Sequence, residues 1–209
     1  MKIVLLGANG KTGRLVMRQA LAAGHAVTGV VRSAESLNDV RHDRLTVRVG
    51  DVSSAEFLKT VFPGHDAVIS TLGPRRPTKS ACTIYSDSGA AIAEAMRACG
   101  MKRVLITSTA LLFPAEGLLD RALRVIAKNN QQAAGLMETR VAEADLDYTF
   151  ARPGFLTNGE SAQFTKAAGA EPEDGKSVSR EALATFLVTE VEEDSHVRQV
   201  VGLSAKKAA

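Results

Sequence analysis

The sequence predicts an α/β protein: a doubly wound parallel sheet with helices on both faces and a small C-terminal extension. Three observations carry this. Short aliphatic runs alternate with helix-patterned stretches as far as Ala151; the turn Gly7-Ala8-Asn9-Gly10-Lys11-Thr12-Gly13 separates the first run from the first helix; and past Pro153 the alternation dissolves into a stretch rich in Gly, Pro and acids. Runs with little internal polarity suit strands covered on both faces, as parallel sheets require.

Taken in order, Lys2 to Leu6 is the first strand. Arg14 to Ala23 is a helix on the spacing of Leu15, Val16, Gln19 and Ala20, and His25 to Val31 is the second strand. This is a βαβ unit, whose crossover is right-handed. Leu45 to Val49 and Ala67 to Ser70 follow as strands on either side of a short helix from Ser54 to Val61. A longer helix is predicted from Ile84 to Ala98, a strand from Arg103 to Thr107, helical stretches between Leu118 and Ala144, and a strand from Asp147 to Ala151. In the extension, Ala162 to Ala168 reads as a short strand. Ser179 caps a helix through Thr189 with Glu181 in its first turn, and Arg198 to Gly202 closes the sheet. Residues 1–209 are thus expected to form one domain, with 154–178 as a loop region on the substrate side.

Composition narrows the function classes. A chain of 209 residues suits one domain. Hydrophobic content of 45% and charged content of 23% are ordinary globular values. The formal charge of +3 comes from 26 basic and 23 acidic residues without a concentrated basic face, so no nucleic-acid partner is expected. Cys82 and Cys99 lack metal-ligand spacing and read as free thiols, with no metal expected. No apolar run reaches the roughly 20 residues of a membrane span, and no secretion signal precedes the first strand. A cytoplasmic protein is the expectation.

The glycine turn admits two phosphate readings. Gly10-Lys11-Thr12 resembles the end of a nucleoside-triphosphate loop, but that loop needs a glycine five residues before Gly10, where Leu5 stands. The spacing Gly7, Gly10, Gly13 suits a dinucleotide instead: a tight turn, close backbone approach to a pyrophosphate, and close packing of helix on sheet, as in a Rossmann-like fold. Asn9, Lys11 and Thr12 then rim the pyrophosphate site. At the end of the second strand an NAD site carries a carboxylate, whereas here stand Arg32 and Ser33. A guanidinium favours a 2′-phosphate, so NADP(H) is the expected cofactor. Asp51 and Val52 are placed for the adenine, and Thr71, Leu72 and Gly73 for the ribose and pyrophosphate. Arg75 and Arg76, between two prolines, read as a basic flap for an anionic group.

With these segments in register, the chain resembles the atypical short-chain dehydrogenase/reductase group with NAD(P)H-binding, NmrA-like domains, and within it the flavin reductase/biliverdin-IXβ reductase family. The likeness extends through Lys102 to Phe113 and Ala142 to Gly154. It implies a monomeric, single-domain NADPH-dependent reductase, with the phosphate turn on Gly7, Gly10, Thr12 and Gly13, the 2′-phosphate arginine on Arg32, the active-site serine on Ser108 and a pocket arginine on Arg75. Two departures stand out. The family's histidine after the sixth strand is replaced by Gly154, and its other pocket histidine falls near Glu138; none of His25, His42, His65 or His196 takes either place. A non-catalytic NADP-binding redox sensor of the NmrA-like kind is the alternative.

The Tyr-x-x-x-Lys pair of ordinary short-chain dehydrogenases is missing, since Gly89 follows Tyr85 and Arg152 follows Tyr148 at that spacing. Hydride transfer to a planar flavin or quinone-like acceptor needs alignment more than a strong acid. Ser108 is the candidate catalytic donor with Arg75, and Glu138 is a candidate for proton handling or a salt bridge. Thr107, Thr109, Arg152, Pro153 and Gly154 are expected around the nicotinamide, with Phe113 and Phe155 as apolar wall.

Overall fold

The computed structural model describes residues 1–206 apart from 75, 116 and 174. An eight-stranded sheet runs in the order β3-β2-β1-β4-β5-β6-β10-β8. The strands are β1 (Lys2–Leu6), β2 (Ala26–Val31), β3 (Leu45–Val49), β4 (Ala67–Ser70), β5 (Arg103–Thr107), β6 (Asp147–Pro153), β8 (Phe164–Ala168) and β10 (Gln199–Ala205). All pair in parallel except β8, which runs antiparallel to β10. The remaining two strands, β7 (Phe155–Thr157) and β9 (Ser177–Ser179), make a small parallel ladder of their own.

Alternation along each strand sorts side chains into two cores. Val4, Leu6, Val68, Val104 and Ile106 face one side. There they meet α2 (Ala55–Val61), α3 (Lys79–Cys99) and α5 (Lys128–Glu143). Ile3, Leu5, Ile69 and Leu105 face the other, under α1 (Lys11–Ala22) and α6 (Arg180–Glu193). A further helix, α4 (Leu118–Ile126), precedes α5. Central strands β4 and β5 are buried throughout, whereas the edge strand β3 leaves Val47 and Val49 exposed.

The layered, doubly wound sheet is the one predicted, and the differences are local. Helix α3 starts at Lys79 rather than Ile84, because Thr78 accepts a hydrogen bond from the Ala81 amide and caps it there. Ser54 caps α2, its side chain accepting from the Phe57 amide. The two thiols are free, but Cys82 is the buried one and Cys99 only half-buried.

Candidate active site

At the carboxyl end of the sheet the chain turns sharply from β1 into α1. Gly7 has φ +81°, and a Cβ there would press to 3.0 Å from Thr71 Oγ1. A Cβ on Gly13 would stand 2.1 Å from the Gly7 carbonyl, so the first turn of α1 can sit against the strand end only if residue 13 is glycine. Thr71 locks the same turn from β4: its amide donates to the Leu6 carbonyl at 3.0 Å and its hydroxyl to the same oxygen at 3.2 Å. Side chains cap α2, α3 and α6, but none caps α1, and no acid lies in its first turn. Its amino end therefore offers free amides and the positive pole of the helix dipole to an anion.

Beside this turn lies a cleft of about 790 Å³. Gly7, Asn9, Gly10, Arg32, Asp51, Val52, Thr71, Leu72 and Gly73 line it, so most of the residues expected at a dinucleotide site come together. Ser36, Gly50, Ala81 and Ile84 also belong to the wall and carried no sequence signal. Asn9 is held rigidly: Arg14 donates to its Oδ1 from Nε at 3.1 Å and from Nη2 at 3.0 Å, and is itself gripped by Asp39 at 2.6 Å. The hydrogen bond from Arg14 holds the Asp39 carboxyl below the usual carboxylate range, so the clamp stays charged at neutral pH. Arg14 is thereby committed to the turn. Arg32 projects from the end of β2 with an exposed side chain, while Ser33 turns its hydroxyl to Glu35. Asp51 accepts from the Ser53 amide at 2.9 Å, stiffening the loop after β3.

A second cleft of about 520 Å³ adjoins the first. Thr71, Leu72, Gly73 and Pro74 wall both. Thr12, Thr107, Ser108, Thr109, Pro153, Gly154 and Phe155 line it, as does the buried Tyr85. The extension and the α4–α5 junction contribute Lys176 and Arg180, and Arg124 and Asn130. Ser108 directly follows β5, its amide donating to the Ala151 carbonyl at 2.7 Å. Among the described residues its buried hydroxyl has no hydrogen-bond partner, and neither do the Thr107 hydroxyl and Asn130 Oδ1. Unpaired buried polar atoms are rare, and these three line one cleft.

Other expected residues lie elsewhere. Glu138 and Arg152 face each other as a bidentate ion pair, at 3.0 Å to Nε and 2.5 Å to Nη2, and neither lines a cleft. Of the two roles held open for Glu138, the geometry is that of a salt bridge. Arg152 stacks over Phe113, its guanidinium carbon 4.8 Å from the ring centroid, so Phe113 supports the pair rather than a ligand. Lys11 is exposed and outside both linings. Arg75 lies outside the described residues. Gly154 is explained by packing: a Cβ there would meet the Lys176 carbonyl at 2.2 Å, so β7 and β9 leave no room for a histidine.

The open helix terminus, the glycine cradle and the cleft fit a dinucleotide. A family profile described as NAD(P)H-binding matches residues 7–194. The chain belongs to this NAD(P)H-binding family. Its relatives include an UPF0659 protein of Saccharomyces cerevisiae, 25% identical over 200 residues, covering 90% of this chain and 86% of that one. An uncharacterised protein of Schizosaccharomyces pombe is 34% identical over 111 residues, or 52% of this chain and 37% of that protein. The NAD(P)H-binding chain thus spans well under half the length of the fission-yeast relative.

Among solved structures, a short-chain dehydrogenase/reductase from Veillonella parvula in complex with NADP superposes with a TM-score of 0.80 at 21% identity, over 100% of this chain and 99% of that one. A Bacteroides thetaiotaomicron protein described as a putative epimerase gives 0.81 at 25% identity, over 100% and 98%. Fold and family are those of a Rossmann-type NAD(P)-binding protein. Among the described residues no helix is long and apolar enough to cross a membrane, and no cluster of three metal-ligating side chains occurs.

Proposed function

We propose that this chain is an NADPH-dependent reductase that passes hydride to a flat conjugated acceptor of the flavin or quinone kind. The observation that carries the reading is Ser108: a buried hydroxyl with no partner among the described residues, on a second cleft that shares a wall with the dinucleotide cleft. The reduced nicotinamide, when bound, supplies the hydride. The chain's own residues do the rest. The amides at the head of α1 hold the pyrophosphate, Arg32 distinguishes the 2′-phosphate, and Asp51 and Val52 flank the adenine. Pro153 and the backbone of Gly154 press the nicotinamide from beyond β6, and Ser108 orients the acceptor against it. Residues 1–209 act as one domain, working as a monomer, with 154–178 shaping the acceptor side.

The resemblance to flavin and biliverdin-IXβ reductases supports a planar acceptor. Linear tetrapyrroles fit less well, because glycine fills the position of the family's histidine. Steady-state oxidation of NADPH with FMN, riboflavin and a simple quinone tests the reading. Turnover with at least one acceptor is expected. Tight NADP binding without turnover on any of them would replace the enzyme with a non-catalytic NADP-responsive regulator.

A further inference from the structure

We propose that Tyr85 and Ser108 together form an oxyanion subsite on the second cleft, so that the acceptor is a conjugated carbonyl compound whose oxygen gathers charge as it is reduced. The inference rests on the reductase reading above. Tyr85 stands in α3 and is 5% exposed, its ring packed in the core between sheet and helices. Its phenolic end reaches the loop after β4, where a Cβ on Gly73 would lie 3.3 Å from the hydroxyl. Gly73 belongs to the wall common to both clefts, so the phenol sits where the two meet.

That phenol lines the second cleft together with Ser108, whose buried hydroxyl has no partner among the described residues. A buried hydroxyl left unpaired costs about 1–3 kcal/mol, which is recovered on a cleft when a ligand oxygen arrives. Burial pushes the pKa of the phenol up, and the Cys82 thiol and Glu138 carboxylate push it further in the same direction. Tyr85 therefore stays protonated and acts as a donor, never as a base. Ser108 Oγ and Thr107 Oγ1, buried on the same cleft and without a partner among the described residues, supply the second hydroxyl and a neighbour able to hold it.

The step this subsite serves balances simply. The acceptor gains a hydride, and with it two electrons, at its electron-poor ring atom, the reduced nicotinamide being oxidised, and negative charge settles on the conjugated carbonyl oxygen. Tyr85 and Ser108 share their O–H bonds with that oxygen without releasing the protons. The proton that neutralises the product comes from water. A donor that strengthens its bond only as charge develops stabilises the transition state selectively. The chain lacks the usual Tyr-x-x-x-Lys pair, and Tyr85 reaches the cleft from α3.

The test uses p-nitrophenol as an oxyanion probe on the full chain loaded with NADP. Its visible phenolate band should show that the bound probe ionises more readily than in water. Tyr85→Phe keeps the ring and removes one oxygen. It should weaken phenolate binding by about tenfold or more and lower kcat with a quinone by about a hundredfold, while NADP affinity and the thermal midpoint stay unchanged. Ser108→Ala should weaken phenolate binding likewise. A bound probe with an unshifted pKa, or a Tyr85→Phe protein that binds phenolate and turns over like its parent, would overturn the proposal. If the parent reduces no acceptor yet binds phenolate through Tyr85, the reductase reading fails and the subsite stands.

Discussion

A guanidinium left exposed on a cleft and one that is fully engaged make different statements about function, and this chain carries both beside its glycine turn. Arg14 is spent on Asn9, Asp39 and the Ser36 carbonyl at 2.6 Å. Arg32 lines the cleft with an exposed side chain. Replacing Arg32 with alanine should therefore weaken NADPH by about 1.5–3 kcal/mol, roughly 10- to 100-fold, the worth of a charge-assisted hydrogen bond. NADH should hardly change, and titration of both nucleotides into both proteins checks this. At this scale the sequence was most legible where a residue type has a single use. Gly7, Gly13 and Arg32 belong to that class. It was least legible where the partner arrives from far away: nothing near Arg152 announces Glu138, and Tyr85 was weighed only for a lysine four residues on. Its approach to Gly73 exists only once α3 has docked on the sheet.

Elements were legible to the extent that their stop signals are local. The Ser179 cap is an example: its hydroxyl accepts from the Ala182 amide at 2.9 Å and so fixes the start of α6. The same hydroxyl donates to the Ser161 carbonyl, tying the extension to the helix. Ser179→Ala should lower stability by about 1 kcal/mol, read as a reduced urea midpoint with an unchanged slope. The pairing of β7 with β9 was hidden, because each is three residues long and the two lie far apart in sequence. Short strands have no periodicity to read, and their register is set by contacts rather than pattern. The close approach of Gly154 to Lys176 is the visible trace of that pairing, and it accounts for the glycine where the resembled family has histidine.

On the scale of the whole molecule, the two ends of the sheet do different work. At the amino end Arg103 of β5 lies 3.2 Å from Glu190 of α6 and donates to the Asp147 carbonyl at 3.0 Å and Thr149 Oγ1 at 2.8 Å on β6. His196, ahead of β10, meets the other oxygen of Glu190 at 2.6 Å. Removing one member of a buried pair leaves charge stranded, so Glu190→Ala should destabilise the fold by about 3–5 kcal/mol in urea unfolding, with nucleotide affinity retained in whatever fraction remains folded. The alternating strands and helices foretold the sheet, but this polar bolt joins residues scattered from 103 to 196 and had no signature along the chain. At the carboxyl end, the stretch from Thr71 to Pro74 is a party wall. A tenant in the first chamber braces the partition of the second, so the two guests should enter in compulsory sequence. The dinucleotide comes in first and leaves last, and product-inhibition patterns should show oxidised nucleotide competing with NADPH alone.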